Sequence, residues 1–304
     1  MSEKNSSVIL VGSLLFLFIV FLSIGTGLEK PEDSKLQITN HKEFPQITLE
    51  AKSAYVYDLR SGETLFEKEA DRRLPLASVT KLMSALVASS LSPGYSRVRV
   101  TSTALSTQGD SGLKPGEEWS LRELLDYSLL TSSNDGIRAV ALSLASLERE
   151  ASDREIIESF VLAMNEKASE LNLKNTYFWN ETGLDESEVK GGAYGSARDV
   201  AQLLGYIVIS KPDILSATRE DETTLLSLDR ESHRAKNTNV LVNEIPGVLA
   251  SKTGFTDIAG GNLVFAFDPE LGRPIVVVVL GSSAQGRFAD ARELIKATME
   301  YIQK

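Results

Sequence analysis

Ser78 and Lys81 stand three residues apart in Pro75-Leu76-Ala77-Ser78-Val79-Thr80-Lys81-Leu82-Met83. A hydroxyl and an amine at that spacing form a nucleophile–base pair without a histidine when a helix puts them on one face. Lysine is a poor base at its ordinary pKa, so the pair works only if Lys81 is desolvated or crowded by another cation. S-x-x-K alone arises easily by chance and equally describes a surface helix. Two further tripeptides carry compatible chemistry. Ser132-Ser133-Asn134 offers a second hydroxyl and an amide in a polar cluster between two apolar helices. Lys252-Thr253-Gly254 offers a cation expected to lower the pKa of Lys81, a hydroxyl, and a glycine that lets another backbone or a ligand come close. Each has a plainer counterpart, an inter-helix turn in one case and a strand end with a solvated lysine in the other.

The elements that must position these groups are written in the periodicity. Pro75 precedes a helix whose apolar face is Leu82, Leu86 and Val87 with Ala85 and Ala88. Ser78 is expected in its first turn, with its N–H at the positive end, where it can donate to a developing oxyanion. Ahead of it, 51–58 and the residues from Thr64 read as a hairpin about Ser61-Gly62. Residues 97–119 read as a long irregular excursion. Ser120 with Glu123 is a capping box opening a helical stretch to about Glu150, broken at 131–136. Helices are expected over 153–171 and from Ser196 to Ile209, with a loop over 175–192 between them. Strands follow at 247–253, 262–267 and 273–280, and an amphipathic helix closes the chain over 289–303. Ile275 to Val279 are consecutive β-branched residues, a run that suits a central strand buried on both faces. Strands, then helices, then strands imply one α/β (α+β) domain whose antiparallel sheet is built from both chain ends around a helical insert.

The 304 residues are 42% hydrophobic, enough for a large core, and carry a net charge of -10. That charge argues against a nucleic-acid partner. With no cysteine and two histidines, His41 and His233, thiol catalysis and a zinc hydrolase motif are excluded. Both histidines are expected at the surface, and nothing in the sequence links His233 to Ser78, as a Ser-His-Asp triad would need. Residues 8–28 hold no charge and suffice to cross a bilayer. They read as an uncleaved transmembrane anchor, with a signal segment as the competing reading. Residues 1–7 are then a short cytoplasmic tail, 29–46 a linker, and 47–304 the working domain outside the cytoplasm.

The three patterns in this order, Ser78-Val79-Thr80-Lys81, Ser132-Ser133-Asn134 and Lys252-Thr253-Gly254, are similar to the set shared by penicillin-binding proteins and class A β-lactamases. From about residue 48 onward the chain resembles the low-molecular-mass penicillin-binding proteins that are D-alanyl-D-alanine carboxypeptidases. The segments 112–117, 160–165, 175–178 and 182–185 carry the likeness, as do 196–199, 237–239 and 252–256 with Ala259-Gly260. The resemblance implies the β-lactamase/penicillin-binding-protein-like fold. It implies a serine D-Ala-D-Ala carboxypeptidase, blocked by penicillins, that acts on peptidoglycan stem peptides with no metal and no cofactor. In that reading Ser78 attacks, Lys81 takes its proton, and Ser132 relays a proton to the leaving amine with help from Lys252. The N–H groups of Ser78 and Phe255 form the oxyanion hole, and Asn134 holds the substrate amide. Thr253, Thr256 and Arg287, with Gly254 beside them, bind the terminal carboxylate. Arginine suits a bidentate grip on such a group.

Two departures accompany the resemblance. Many members carry a second, β-rich domain and a carboxy-terminal anchor, so here the amino-terminal segment is the expected anchor. Ser133 stands where carboxypeptidases often have Gly and lactamases Asp, which bears on substrate preference. The alternatives are a D,D-endopeptidase on cross-links, chemically the same enzyme with a wider cleft, and a non-catalytic, membrane-tethered wall-binding protein. A class A lactamase needs a glutamate to activate the deacylating water. Ser169-Glu170-Leu171-Asn172 suggests that segment superficially, but Glu170 is two residues before Asn172 and Ala168 occupies the place four before.

Overall fold

The structure is a computed structural model that describes residues 43–109, 111–144 and 151–303. The expected tail and anchor, most of the expected linker, and His41 lie outside the described residues. No helix among the described residues is long and apolar enough to cross a membrane.

The chain opens with a hairpin, β1 (Ser53–Asp58) and β2 (Glu63–Lys68), followed by the short β3 (Leu74–Pro75). One 3-10 turn, Ala77–Thr80, leads into α1 (Lys81–Leu91). Ser78 therefore sits in that turn, ahead of the α-helix rather than in its first turn as expected. The excursion over 97–119 is framed by a two-stranded ladder, β4 (Arg97–Arg99) with β5 (Glu118–Ser120), that the turn-rich composition hid. Then come α2 (Leu121–Thr131), α3 (Asn134–Leu144) and α4 (Asp153–Glu170). The strands β6 (Tyr177–Phe178) and β7 (Ala193–Gly195) pair with each other, and β7 pairs with β3. After α5 (Ala197–Ser210) a second unread hairpin, β8 (Glu222–Leu226) and β9 (Ser232–Lys236), is too polar and exposed to show an apolar face. The last third is β10 (Val248–Thr256), β11 (Gly260–Phe267), β12 (Ile275–Ser282) and α6 (Gly286–Gln303).

Side-chain oxygens start three of these helices. Ser120, Ser152 and Ser196 each accept the backbone N–H three residues on, and Ser152 with Glu155 completes a reciprocal capping box.

The main sheet is antiparallel in the order β10-β11-β12-β1-β2. The expected assembly from both chain ends is realised, and β12 is its central strand with all eight residues buried. Alternation along the strands makes two cores. Tyr55, Val264, Ala266, Val276, Val278 and Leu280 face the helices α1–α5. Val56, Leu263, Phe265, Ile275, Val277 and Val279 face α6 through Phe288, Ala291, Leu294 and Ile295. A one-residue slip of β12 would exchange both faces at once, so its register is strongly specified. Phe44, in the segment read as linker, packs on Phe66 and Tyr301.

His233 is buried, contrary to expectation. Its Nε2 lies 3.1 Å from Glu117 Oε1, and Trp119 Nε1 donates to Glu117 Oε2 at 3.2 Å. A carboxylate partner and two aromatic rings, Trp119 and Tyr127, make an internal site for the imidazole. This histidine is committed to Glu117, so among the described residues a triad at Ser78 has no histidine to draw on.

Candidate active site

Ser78 is held by the main chain on both sides. Asn262, fully buried on β11, donates from Nδ2 to the carbonyls of Pro75 and Leu76 at 3.0 Å each, and its Oδ1 accepts from Gly281 N at 2.8 Å. The nucleophile turn is thereby tied to the middle of the sheet. Gly254 on β10 completes the approach: a Cβ there would lie 2.8 Å from Leu76 O and 3.2 Å from Ser78 N. The glycine of Lys252-Thr253-Gly254 thus does what the sequence suggested, letting the edge strand come against the nucleophile's backbone. Ala77 just before Ser78 has φ +49°, a left-handed conformation that an L side chain adopts at a cost of about 1–3 kcal/mol.

Lys81 is wholly buried, and its Nζ donates to Ser78 Oγ at 2.8 Å, Asn134 Oδ1 at 2.7 Å and Thr182 O at 2.9 Å. Burial lowers its pKa to about 7, while the charge of Glu181 pulls the other way. The amine is thus partly neutral at neutral pH, the state a general base requires. Of the two routes the sequence left open, desolvation does this work rather than the neighbouring cation Lys252. It is Lys252, itself buried, whose pKa is driven well down, by burial first and then by the charges of Lys81 and Arg287.

Lys252 Nζ donates to Ser132 Oγ at 2.8 Å and to Thr253 O at 2.9 Å. Ser132 ends α2 in the left-handed conformation, φ +62° and ψ +31°. The polar cluster is both an inter-helix turn and a means of aiming that hydroxyl at Lys252. Ser133 turns the other way. Its buried Oγ accepts from Gly136 N at 2.9 Å, as an N-cap of α3 does, and meets Ser111 Oγ at 2.7 Å. The middle residue of this motif therefore starts a helix and does not face the site. Asn134 joins Lys81 to the excursion, donating from Nδ2 to Gln108 O at 2.7 Å.

The remaining expected residues line the edge of β10. Thr253 Oγ1 lies 2.6 Å from Thr238 Oγ1, and Thr256 Oγ1 donates to Asp185 Oδ1 at 3.0 Å. Phe255 exposes its ring, so its contribution to the site is its main chain. Arg287, half-buried at the start of α6, reaches across to donate to Gly254 O at 2.7 Å and leaves its Nε buried without a partner among the described residues. Burial also lowers the Arg287 pKa from its ordinary value.

The fold brings together Ser78, Lys81, Ser132, Asn134, Lys252 and the strand Thr253–Thr256, and places Arg287 beside Gly254. Sequence reasoning misses Asn262, Thr182 and Glu181. Asn262 reads as the first residue of a strand and the other two as loop. Thr182 does fall in the segment 182–185 that carries the likeness, without a role attached to it there. Glu170 stays outside: it is an exposed residue at the end of α4 paired with Lys167. Among the described residues no cluster of His, Asp and Glu could hold a metal ion.

Arranged this way, the site can run acyl transfer: a nucleophile with its base at hydrogen-bond distance, a second hydroxyl–amine pair for proton relay, and an open strand edge for a peptide. The family described as D-alanyl-D-alanine carboxypeptidase matches residues 38–284. The D-alanyl-D-alanine carboxypeptidase DacF of Bacillus subtilis is 34% identical over 93% of this chain and 69% of that protein. DacA of Escherichia coli K12, with the same activity in its name, is 32% identical over 83% of this chain and 60% of that protein. A D-alanyl-D-alanine endopeptidase of Pseudomonas aeruginosa is 30% identical over 93% of this chain and 86% of that protein. Among solved structures, a penicillin-binding protein homologue from Mycobacterium tuberculosis superposes with a TM-score of 0.74 at 25% identity, covering 85% of this chain and 94% of that one. The Streptomyces K15 DD-transpeptidase gives 0.75 at 24% identity, over 84% and 99%. The chain spans about two thirds of the length of the DacF and DacA relatives.

Proposed function

The chain belongs to the D-alanyl-D-alanine carboxypeptidase family of serine peptidases, and on that premise we propose that it removes the terminal D-alanine of peptidoglycan stem peptides through an acyl-enzyme on Ser78. The observation that carries this is the 2.8 Å hydrogen bond from a fully buried Lys81 to Ser78 Oγ, with the Lys81 pKa brought to about 7.

Neutral Lys81 takes the Ser78 proton as Oγ adds to the carbonyl carbon of the D-Ala-D-Ala bond. The N–H groups of Ser78 and Phe255 receive the oxyanion. As the C–N bond breaks, the proton passes through Ser132 Oγ, beside Lys252, to the leaving amine. Water then attacks the ester, giving up its proton to the same base, and the Ser78 hydroxyl is restored. The stem peptide pairs with the outer edge of β10 as an added strand. Asn134 holds its amide, and Thr253, Thr256 and Arg287 hold the terminal carboxylate. A β-lactam acylates the same serine, but its amine stays tethered, so water finds no vacated place. The endopeptidase alternative uses the same steps; Arg287 reaching the strand edge beside Gly254 favours a substrate that ends in a free carboxylate. Residues 8–28 anchor this domain outside the cytoplasm.

Intact mass of the full chain with benzylpenicillin, together with release of D-alanine from a D-Ala-D-Ala-terminated peptide, tests the proposal. A persistent one-to-one adduct on Ser78, absent in Ser78→Ala, is expected. An adduct that survives Ser78→Ala, or no adduct with the drug intact, would overturn it. Drug consumed without an adduct would indicate a lactamase.

A further inference from the structure

Glu181 is completely buried, yet neither of its oxygens makes a regular hydrogen bond among the described residues. Its Oε1 lies 2.6 Å from Arg138 Nε, an ion pair with the carboxylate fully enclosed. A lone carboxylate is expensive in such a place, and this one persists beside a cation. The mechanism above gives it no part.

Its position explains why it is there. Consecutive carbonyls of Glu181 and Thr182 accept from Ser84 Oγ at 2.5 Å and Lys81 Nζ at 2.9 Å, two residues three apart on α1. Arg138 lies one helical turn beyond Asn134 on α3, hence on the same face. Lys81 has three acceptors: Ser78 Oγ, Asn134 Oδ1 and Thr182 O. Two of them belong to the walls that the Arg138–Glu181 pair joins, α3 on one side and the 181–182 segment on the other. We propose that Glu181, held by Arg138, is a positioning residue for Lys81: it closes the two walls on the amine and supplies the counter-charge that lets this buried lysine still accept the Ser78 proton.

The inference rests on the reading of Lys81 as the base. Among the described residues Glu181 acts on Lys81, Lys81 and Arg287 act on Lys252, and Arg138 pairs with Glu181. Glu186 is a further carboxylate near Glu181. Arg138 is spent on Glu181, and Glu181 is the group that opposes the desolvation of Lys81. Burial raises the Glu181 pKa on balance, against the charges of Arg138 and then Lys81, and the 2.6 Å contact with Arg138 is what holds the carboxylate as an anion. A cation that loses a nearby anion gives up its proton more readily and is a weaker base.

The test is the rate of Ser78 acylation by benzylpenicillin between pH 5 and 9 in the full chain. The native rate should rise through an acid limb near pH 7. In Glu181→Gln the limb should move down by about one pH unit and the plateau fall about tenfold. The double variant Glu181→Gln/Arg138→Gln removes both members of the pair and should shift the limb in the same direction by less, since a cation leaves with the anion; it keeps the question open to measurement if the single variant does not fold. Glu181→Asp should return the limb toward its native place. A limb that stays put in both glutamine variants overturns the inference, whatever the loss of rate, since a purely structural role lowers the rate at all pH. Normal acylation with a stalled ester would instead make Glu181 a deacylating base, and also overturns it. Failure of the native chain to form the adduct would fall on the proposed function itself.

Discussion

Replacing Gly183 with alanine should disable the nucleophile from a residue that carries no chemistry. Gly183 has φ +81°, and a Cβ there would lie 2.6 Å from the carbonyl carbon of Ala77 and 2.5 Å from Thr80 Oγ1, with Ala77 O closer still. The Ala77 carbon alone must retreat by about 0.8 Å to regain ordinary contact near 3.4 Å. Ala77 cannot move alone. It precedes Ser78 in one 3-10 turn, and the carbonyls just before that turn are pinned by Asn262. A displacement approaching 1 Å at a reacting atom costs about 10²-fold in rate. The positive φ adds about 1–2 kcal/mol of destabilisation. Gly112 separates the two effects: it has the same φ of +81°, but a Cβ there would meet nothing within 4 Å. Acylation by benzylpenicillin and thermal unfolding should be measured on both variants. Gly112→Ala should lose about 1 kcal/mol and keep its rate within about threefold. Gly183→Ala should lose more stability and about 10²-fold in rate. A native rate in Gly183→Ala, or equal losses in the two, would refute the claim that the contact with Ala77 places the serine.

Substitutions at two further positions probe groups near the site that the structure assigns to its framework. Ser133→Ala should lower stability by about 1 kcal/mol, and Ser133→Gly by less, through loss of the α3 N-cap, as read by denaturant unfolding; KM for a D-Ala-D-Ala peptide should stay put in both. His233→Ala leaves Glu117 buried with Trp119 as its side-chain donor among the described residues, so stability should fall by about 2–3 kcal/mol while the acylation rate of the folded fraction is unchanged. A specific loss of acylation there would revive a histidine role.

What is local in this protein is legible from the amino-acid sequence. The caps at Ser120 and Ser196, the apolar face of α1, and the run Ile275–Val279 that forms the central strand each follow from neighbours in the chain. The groups proposed for the site, Ser78, Lys81, Ser132, Asn134, Lys252 and Arg287, are named through the resemblance to a family, because each motif of a few residues taken alone reads as ordinary structure. Short or polar elements are not legible. The ladder β4–β5 and the hairpin β8–β9 alternate in burial, but over only three to five residues each and partly through polar side chains such as Thr223 and His233, so the sequence shows no apolar period.

The state of each group is decided only by the tertiary structure. Lys81 has a lowered pKa because it is buried, against Asn134 and Thr182, 53 and 101 residues away. Ser132 is aimed because Lys252, 120 residues on, meets it. Glu181 and Asn262 matter only through such meetings, and His233 is internal because Glu117, 116 residues away in the chain, receives it. Desolvation and hydrogen-bond distance depend on which distant segments pack together. The order of residues names the reacting groups, and their proton affinities and aim come from the packing that the whole fold imposes.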